Sequence, residues 1–345
     1  MAEIQLRNVS KRFGDILAVD DLSLDVKDGE FVVLLGPSGA GKTTTLRLIA
    51  GLEKPDTGDV LIDGEIATRV HPSDRDVAFI FQQYSLYPHL TVFGNLAFPL
   101  RSPRRRTGEA QVRARVQAVA EMLHMESKLE NMATHLSGGE MQRVAIGRAL
   151  VRQPKAFLMD EPLSSLDAKL REELRIELKR LHRTIGATII YVTHDQVEAT
   201  TLADRIGILE HGRLVQLGTP REVYGNPVSL SAAQRLGSPP INLLPPALFD
   251  SAYVPTGTAT VAIRPEDVVL HDSDAPEPAG VGDALNLTVL EYSPLRHLLI
   301  LDRAGTAVVA TTVAERNFSP GQSVGVSLPP RSLLYFRADG RRIST

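Results

Sequence analysis

The chain has 345 residues, 43% apolar and 23% charged, with a formal net charge of −3. This is a soluble globular composition, long enough for a sizeable core and two domains, with no global positive field to draw it to nucleic acid. Cysteine is absent, which excludes disulfides and cysteine-ligated zinc and suits a reducing cytosol. Met1-Ala2-Glu3-Ile4-Gln5 lacks the basic and apolar regions of a signal peptide, and no apolar run reaches the ~18 residues of a membrane span. Any membrane association is therefore expected through a partner.

Residues 4–34 alternate apolar and polar in short runs with turns at Phe13-Gly14-Asp15 and Lys27-Asp28-Gly29, a strand-rich pattern. It leads into Phe31-Val32-Val33-Leu34-Leu35, which reads as a buried strand, and Leu46-Arg47-Leu48-Ile49-Ala50 reads as a helix. Between them lies Gly36-Pro37-Ser38-Gly39-Ala40-Gly41-Lys42-Thr43-Thr44, which fits the phosphate-loop spacing G-x-x-x-x-G-K-[ST] in its strand–loop–helix context. Glycines let the backbone turn its N–H groups around the β- and γ-phosphates, and the new helix points its positive end at the same anions. Lys42 adds a mobile positive charge, and Thr43 offers a hydroxyl to Mg²⁺. A plain glycine-rich turn is the competing reading, and it leaves the full pattern unexplained.

Further on, hairpin signals stand at Asp56-Thr57-Gly58-Asp59 and Ile62-Asp63-Gly64-Glu65, and Val77-Ala78-Phe79-Ile80-Phe81 is another strand candidate. From about Pro88 to Leu150 the pattern turns helical, with apolar residues at Val112, Val116, Val119, Ala120 and Leu123. Arginines gather at Arg101, Arg104, Arg105, Arg106, Arg113 and Arg115. Such a run could touch nucleic acid or anionic lipid, but no aromatic residues interleave it, which favours a solvated loop and helix face. Lys155–Glu161 resumes the strand pattern, Leu166–Leu181 reads as a charged amphipathic helix, and Thr188–Val192 as a strand. Strands alternating with helices imply an α/β fold with a mostly parallel sheet. Near residue 236 the composition shifts, the last 110 residues holding 12 of the 22 prolines and no lysine, and Gly237-Ser238-Pro239-Pro240 marks a boundary between 1–236 and 237–345. The strand candidates beyond it (Thr258–Ile263, Leu285–Glu291, Leu298–Leu301, Thr306–Thr312, Ser332–Phe336) suggest a small β-barrel.

A phosphate loop alone says nucleotide; a second element says hydrolysis. Asp160 and Glu161 end an apolar strand. An acid at that place can serve the Mg²⁺ shell, and its neighbour can polarise an attacking water as general base. A strand capped by two solvated carboxylates is the simpler alternative. The third element is Leu136-Ser137-Gly138-Gly139-Glu140-Met141-Gln142, a second glycine-rich helix start. Ser137 and Glu140 alone would make it a capped helix. If the two helix starts lie apart within a chain, two chains head to tail could close around ATP.

With these motifs assembled, the sequence resembles the ATP-binding-cassette ATPases, and the resemblance covers essentially the whole chain. It rests on Gly36–Thr44, Leu-Ser-Gly-Gly-Glu at 136–140, Leu-Met-Asp-Glu-Pro at 158–162, Ser164-Ser165-Leu166-Asp167 and Thr193-His194-Asp195. It implies a phosphate-loop cassette with a helical subdomain at about 88–150, followed by a small β-barrel of oligonucleotide-fold-like (OB-like) type. It further implies that Phe13 stacks on adenine and that Gly36, Pro37, Ser38, Gly39, Ala40, Gly41, Lys42, Thr43 and Thr44 hold the phosphates. Thr43, Gln82 and Asp160 would serve Mg²⁺, and Gln82 would approach the attacking water. Glu161 would be the general base, and His194 would hold it in line with the γ-phosphate. Ser137, Gly138 and Gly139 would contact the γ-phosphate bound by a partner copy, and Asp167 would lie in the loop crossing to that copy.

Within that superfamily, Tyr84–Val92, Asp167–Arg171, Asp195–Ala199 and Ala262–Asp267 are similar to the maltose-type carbohydrate importers, a group that includes glycerol-phosphate and multiple-sugar importers. The resemblance implies a homodimer with two integral-membrane permease subunits and an extracytoplasmic solute-binding protein. It would sit peripherally at the cytoplasmic face of the inner membrane. The C-terminal region could also receive a regulatory protein, although no specific site for one stands out. Polyamine, ferric iron and sulfate importers share much of this architecture, and Tyr87 tilts the reading toward sugars. A soluble cassette ATPase of translation or DNA repair fits poorly, because those relatives usually fuse two cassettes or insert long coiled coils. The acidic, lysine-free tail argues against nucleic acid as its ligand.

Overall fold

The computed structural model describes residues 2–103, 107–249, 254–271, 285–303, 305–312 and 316–344. The chain divides into two compact units, Met1–Pro220 and Arg221–Thr345.

The first unit is built on a six-stranded sheet in the order Arg213–Gly218, Arg205–Glu210, Phe31–Leu35, Thr188–Thr193, Ala156–Asp160, Val77–Ile80. All neighbours are parallel except the antiparallel edge pair of Arg213–Gly218 with Arg205–Glu210. Phe31–Leu35, Ala156–Asp160 and Thr188–Thr193 are buried at every position. That is why they read as continuous apolar runs rather than alternating ones: parallel strands are covered on both faces. Each buried aliphatic side chain contributes roughly 2 kcal/mol by leaving water.

A second, antiparallel sheet has the order Ile16–Val26, Ile4–Phe13, Thr57–Ile62, Glu65–Ile66. Asp63 and Gly64 form its expected tight turn, both at positive φ, as a two-residue hairpin requires. Gly58 does something else. It sits inside a strand at φ +81, and a Cβ there would lie 2.3 Å from the Asn8 carbonyl oxygen. The register against Ile4–Phe13 shifts at that point, so the signal at 56–59 marks a bulge and not a hairpin turn.

The helical stretch resolves into Val92–Ala97, Glu109–Met122 and Gly138–Leu150. Val112, Val116, Val119, Ala120 and Leu123 are buried, as their spacing predicts. Of the clustered arginines, Arg101 and Arg113 both pair with Glu109 and lie over the Phe93 ring. Arg104, Arg105 and Arg106 lie outside the described residues. The charged amphipathic helix runs Ala168–Ile185, starting where the Asp167 side chain accepts from the Leu170 N–H and stopping at Gly186, φ +59. No helix among the described residues is long and apolar enough to cross a membrane.

In the second unit, two short helices, Pro220–Gly225 and Leu230–Arg235, precede two antiparallel sheets. One sheet is Asn242–Leu244, Thr260–Ile263, Leu334–Phe336, Arg342–Ile343; the other is Val269–His271, Ser323–Ser327, Leu285–Ser293, Leu298–Arg303, Thr306–Thr311. One apolar core serves both. The Asn242 side chain clasps both backbone groups of Val309 at 2.7 and 2.8 Å, tying an edge of one sheet to an edge of the other. This curled antiparallel arrangement is OB-like. The units part at 220 although the composition shifts near 236. Buried Arg264 donates to the carbonyls of Tyr224, Ala233 and Leu236 and stacks on the Tyr224 ring at 3.9 Å, so the two short helices pack with the β unit.

Arg75, 4% exposed, fastens the far end of the Lys42–Ala50 helix by donating to the carbonyls of Leu48 and Ile49, both at 2.8 Å. Arg75→Met should lower the free energy of unfolding by about 2–4 kcal/mol in urea titrations, because it strands those helix-end acceptors. A loss under about 0.5 kcal/mol would show that the helix end is held otherwise.

Candidate active site

Strand register assembles the site. Leu35 pairs with Thr193, and Val192 pairs with Asp160. Three adjacent parallel strands therefore end level, and the loops leaving them carry residues 36–41, Glu161 and its successors, and His194.

The first loop has almost no room for side chains where it meets its neighbours. A Cβ on Gly36 would lie 2.4 Å from the Leu209 carbonyl oxygen, and one on Gly41 would lie 2.3 Å from that of Ala18. Gly41 also holds φ +95 at the helix start, a conformation natural only to glycine. Ala40 is buried, Pro37 and Thr44 are half-buried, and Ser38 and Gly39 face solvent. The Lys42 side chain folds back under this loop, its Nζ donating to the carbonyls of Gly36 at 2.9 Å and Pro37 at 3.0 Å. The same Nζ stands 3.9 Å from Glu161 Oε1. An ammonium 6% exposed, cradled beside backbone amides and a helix N-terminus, makes a strong anion site.

The two adjacent acids have different surroundings. Asp160 Oδ1 accepts from Thr43 Oγ1 at 2.8 Å. Burial pushes the Asp160 carboxyl above its usual pKa, with the Thr43 hydrogen bond pulling the other way and the Glu161 charge adding to the rise. Glu161 leaves the strand at φ +45, while its N–H still reaches the Val192 carbonyl at 3.0 Å. A non-glycine residue in that region stores about 1–2 kcal/mol of strain, a feature concentrated at functional sites. Its Oε2 is 3.1 Å from His194 Nδ1, and His194 itself is mostly exposed. Gln82 Nε2 donates to Ser164 Oγ at 3.3 Å, and Ser164 Oγ donates to the Glu161 carbonyl at 2.9 Å. The structure thus brings together Lys42, Thr43, Asp160, Glu161, His194 and, through Ser164, Gln82.

Ser164 and Glu198 have no place among the sequence-derived site residues. Ser164 sits one turn after Glu161, a spacing that would have signalled the contact. Glu198, 2% exposed, takes the hydroxyls of Tyr191 at 2.8 Å and Thr193 at 2.7 Å on one oxygen, and burial raises its pKa. Thr193 Oγ1 in turn accepts the Asp195 N–H at 3.0 Å, so this carboxyl anchors the turn that carries His194.

The remaining candidates lie elsewhere in the unit. Phe13 is 43% exposed at its hairpin end, with Lys11 Nζ 5.2 Å from the ring centroid. Ser137 caps its helix in a full capping box: its N–H donates to Glu140 Oε2 at 2.8 Å and the Glu140 N–H returns to Ser137 Oγ. Gly138 faces the Tyr84 hydroxyl and Gly139 the Leu170 side chain. Asp167 is occupied as the cap of the Ala168–Ile185 helix.

Comparison with known proteins follows the same lines. A model of the ABC transporter family matches residues 19–164. The trehalose/maltose import ATP-binding protein MalK of Thermococcus litoralis is 50% identical over 272 residues, covering 77% of this chain and 73% of that protein. The sn-glycerol-3-phosphate import ATP-binding protein UgpC 3 of Agrobacterium fabrum is 42% identical over 359 residues, covering 99% and 100%. Among solved structures, the ATP-binding cassette MJ0796, a dimer in a post-hydrolysis state bound to ADP and Pi, matches with a TM-score of 0.56 at 36% identity. It covers 63% of this chain and 99% of that one.

The Asp160 shift makes a pH prediction. A carboxyl pKa raised by folding leaves stability untouched below the usual carboxylate range. It costs stability as pH rises from the unfolded value through the folded one, because the ionised form is worse off folded. Asp160→Asn keeps an acceptor for Thr43 and removes that cost. The nucleotide-free variant should melt about 1–3 °C above the parent at pH 7–8 and converge with it near pH 3.5 in calorimetric scans. A variant that melts lower at pH 7–8 would contradict the assignment of burial as the dominant cause.

Proposed function

From a chain that belongs to the ABC transporter family of ATP-binding proteins, we infer an ATPase subunit that energises import of a carbohydrate or polyol through a membrane permease. The observation that carries this reading is the level ending of three parallel strands, which puts Lys42 and His194 each in contact with Glu161. Import ATP-binding proteins for trehalose/maltose and for sn-glycerol-3-phosphate, 50% and 42% identical to this chain, support the solute class.

ATP is the substrate. The backbone N–H groups of residues 38–44 and the Lys42 ammonium bind its β- and γ-phosphates, and Phe13 offers a ring for the adenine. Thr43 Oγ1 and Asp160 Oδ1, 2.8 Å apart, form a hard-oxygen pair suited to Mg²⁺. No group of three or more acidic or histidine side chains is placed for a metal among the described residues. Thr43 and Asp160 would hold the ion, with Gln82 as a further oxygen and with phosphate and water supplying the rest. Bound there, Mg²⁺ would offset charge on the transferring phosphoryl group.

Glu161 orients the attacking water and accepts its proton as the water oxygen bonds to the γ-phosphorus and ADP leaves. His194 holds one carboxylate oxygen, Oε2, while Lys42 stands by the other, Oε1. Ser137, Gly138 and Gly139 form a second helix start for the γ-phosphate, supplied by the partner copy of a homodimer. Asp167 and its loop lie at the crossing between copies. Closure of that dimer drives two permease subunits toward the state that accepts solute from an extracytoplasmic binding protein. The ATPase then sits peripherally on the cytoplasmic face of the membrane, and the OB-like unit is a place for a regulatory protein.

Two substitutions test the chemistry. Lys42→Ala should abolish productive ATP binding. Glu161→Gln should retain ATP and trap the closed dimer while hydrolysis falls at least ~100-fold, since the amide keeps the shape but takes no proton. Near-normal turnover by Glu161→Gln would overturn the base assignment. Growth of a strain lacking the chain on single carbon sources tests the solute class. A defect on particular sugars or polyols, rescued by the parent but not by Lys42→Ala, is the expected result. Defects confined to polyamine, iron or sulfate limitation would move the substrate class.

A further inference from the structure

Between the strand Val77–Ile80 and the helix Val92–Ala97, residues 81–91 run largely without regular structure, with Gln82 near the start. One end of this loop is fastened to the catalytic side. Gln82 reaches Ser164, and the Tyr84 hydroxyl lies 3.1 Å from Ser165 Oγ. The other end is fastened to the helical segment by a different set of contacts. Buried Asn95 clasps both backbone groups of Tyr87, at 2.8 and 3.1 Å, and the Tyr87 ring packs on Phe98 with centroids 4.3 Å apart.

Arg148 joins these parts. Its Nη1 donates to the Ser85 carbonyl at 2.6 Å, and its guanidinium lies over the Tyr87 ring, 5.3 Å from the centroid. Ser85 itself is held at φ +50, so its carbonyl points where an ordinary loop residue would not place it. Arg148 belongs to the Gly138–Leu150 helix, the one that starts at Ser137. Arg148 lies ten helical steps from Gly138, a rigid lever of about 15 Å. A planar guanidinium that bonds a carbonyl and stacks on an aromatic ring at once fixes orientation in a way that a lysine cannot.

We propose that Arg148 is a positioning residue that makes the Gln82 loop and the Ser137 helix one mechanical body. Bringing Ser137 onto a partner's nucleotide and setting Gln82 beside Glu161 are then a single event. A partner that pushes on the loop between Gln82 and Pro88 also moves the Ser137 helix start. The inference rests on the proposed function, in which both segments act in hydrolysis, and it adds the residue that couples them. Arg148 touches neither the phosphate loop nor the two acids in this arrangement, so its effect is transmitted through placement alone.

The test is steady-state ATP hydrolysis by the purified full-length chain, with melting temperature measured alongside. Arg148→Gln should lower kcat about 10-fold, less than the ~100-fold that a full 1 Å misplacement can cost, with KM for ATP and Tm close to the parent. Arg148→Lys, which keeps the charge and one donor but loses the stack, should recover part of that loss. Tyr87→Phe keeps the ring and should match the parent, whereas Tyr87→Ala should reproduce the Arg148→Gln defect with Arg148 intact, and so decides the matter if Arg148→Gln does not fold. A kcat within two-fold of the parent for both Arg148→Gln and Tyr87→Ala would overturn the proposal. So would a parallel fall of kcat, ATP affinity and Tm with no recovery in Arg148→Lys, the signature of a merely structural role. A parent chain without ATPase activity would instead overturn the functional reading, and the inference with it.

Discussion

The site depends on the parallel register of three strands. Leu35 opposite Thr193 and Val192 opposite Asp160 mean that Phe31–Leu35, Thr188–Thr193 and Ala156–Asp160 stop at the same height. Hydrogen bonds between neighbouring strands hold them ~4.8 Å apart, so three loops leave the sheet within side-chain reach of one another. A slip of one residue in any strand would exchange its two buried faces, misfit the packing on both, and shift its loop out of level with the others. Burial of every side chain in those strands makes such a slip costly, and the geometry of the chemistry inherits that rigidity.

Two local departures from regular structure adapt this frame to its task. Gly36 and Gly41 approach the carbonyls of Leu209 and Ala18 more closely than any Cβ would allow, which lets the chain turn back on itself around the Lys42 ammonium. Glu161, at φ +45, breaks the alternation that would have aimed it opposite to Asp160. Its carboxylate ends between Lys42 and His194, while Asp160 stays buried against Thr43. Two consecutive acids thereby acquire separate environments. In the proposed function the first would share a metal ion with phosphate oxygens and the second would face a water molecule.

What could be read from the sequence was what is local. The phosphate loop, the Asp63-Gly64 turn, the acids at a strand end and the Ser137–Glu140 capping box each lie within a few residues, and each is a matter of spacing. The helical face Val112–Leu123 followed from its period. Contacts between distant segments were not legible. Nothing in the sequence near Gly58 distinguishes a bulge against Asn8 from a hairpin turn, because the difference lies in the neighbouring strand. The helices at 220–235 are too short for a period, and their attachment depends on Arg264 far downstream. Glu198 under the His194 turn and Arg148 against Ser85 are single polar residues on helices, and sequence alone reads such residues as solvated. Ser164 is the exception, since its place one turn after Glu161 was visible.

The proposed function needs a nucleotide site completed by a second copy: Lys42 and the two acids bond one another and the loops around them, whereas Ser137 bonds Glu140 of its own helix and Gly138 and Gly139 pack on Tyr84, Leu166 and Leu170. Mixing two inactive variants tests this most directly. A Lys42→Ala copy lacks its own phosphate loop charge, and a Gly138→Asp copy places a negative charge where the partner's γ-phosphate would approach. In a mixed dimer both lesions fall on one site and the other site is intact. Equal amounts of the two should therefore regain about a quarter of the parent's ATPase activity, since half the dimers are mixed and each carries one of two equivalent sites. If the mixture stays as inactive as its components, or if Gly138→Asp alone hydrolyses ATP at the parent rate, the shared site is contradicted.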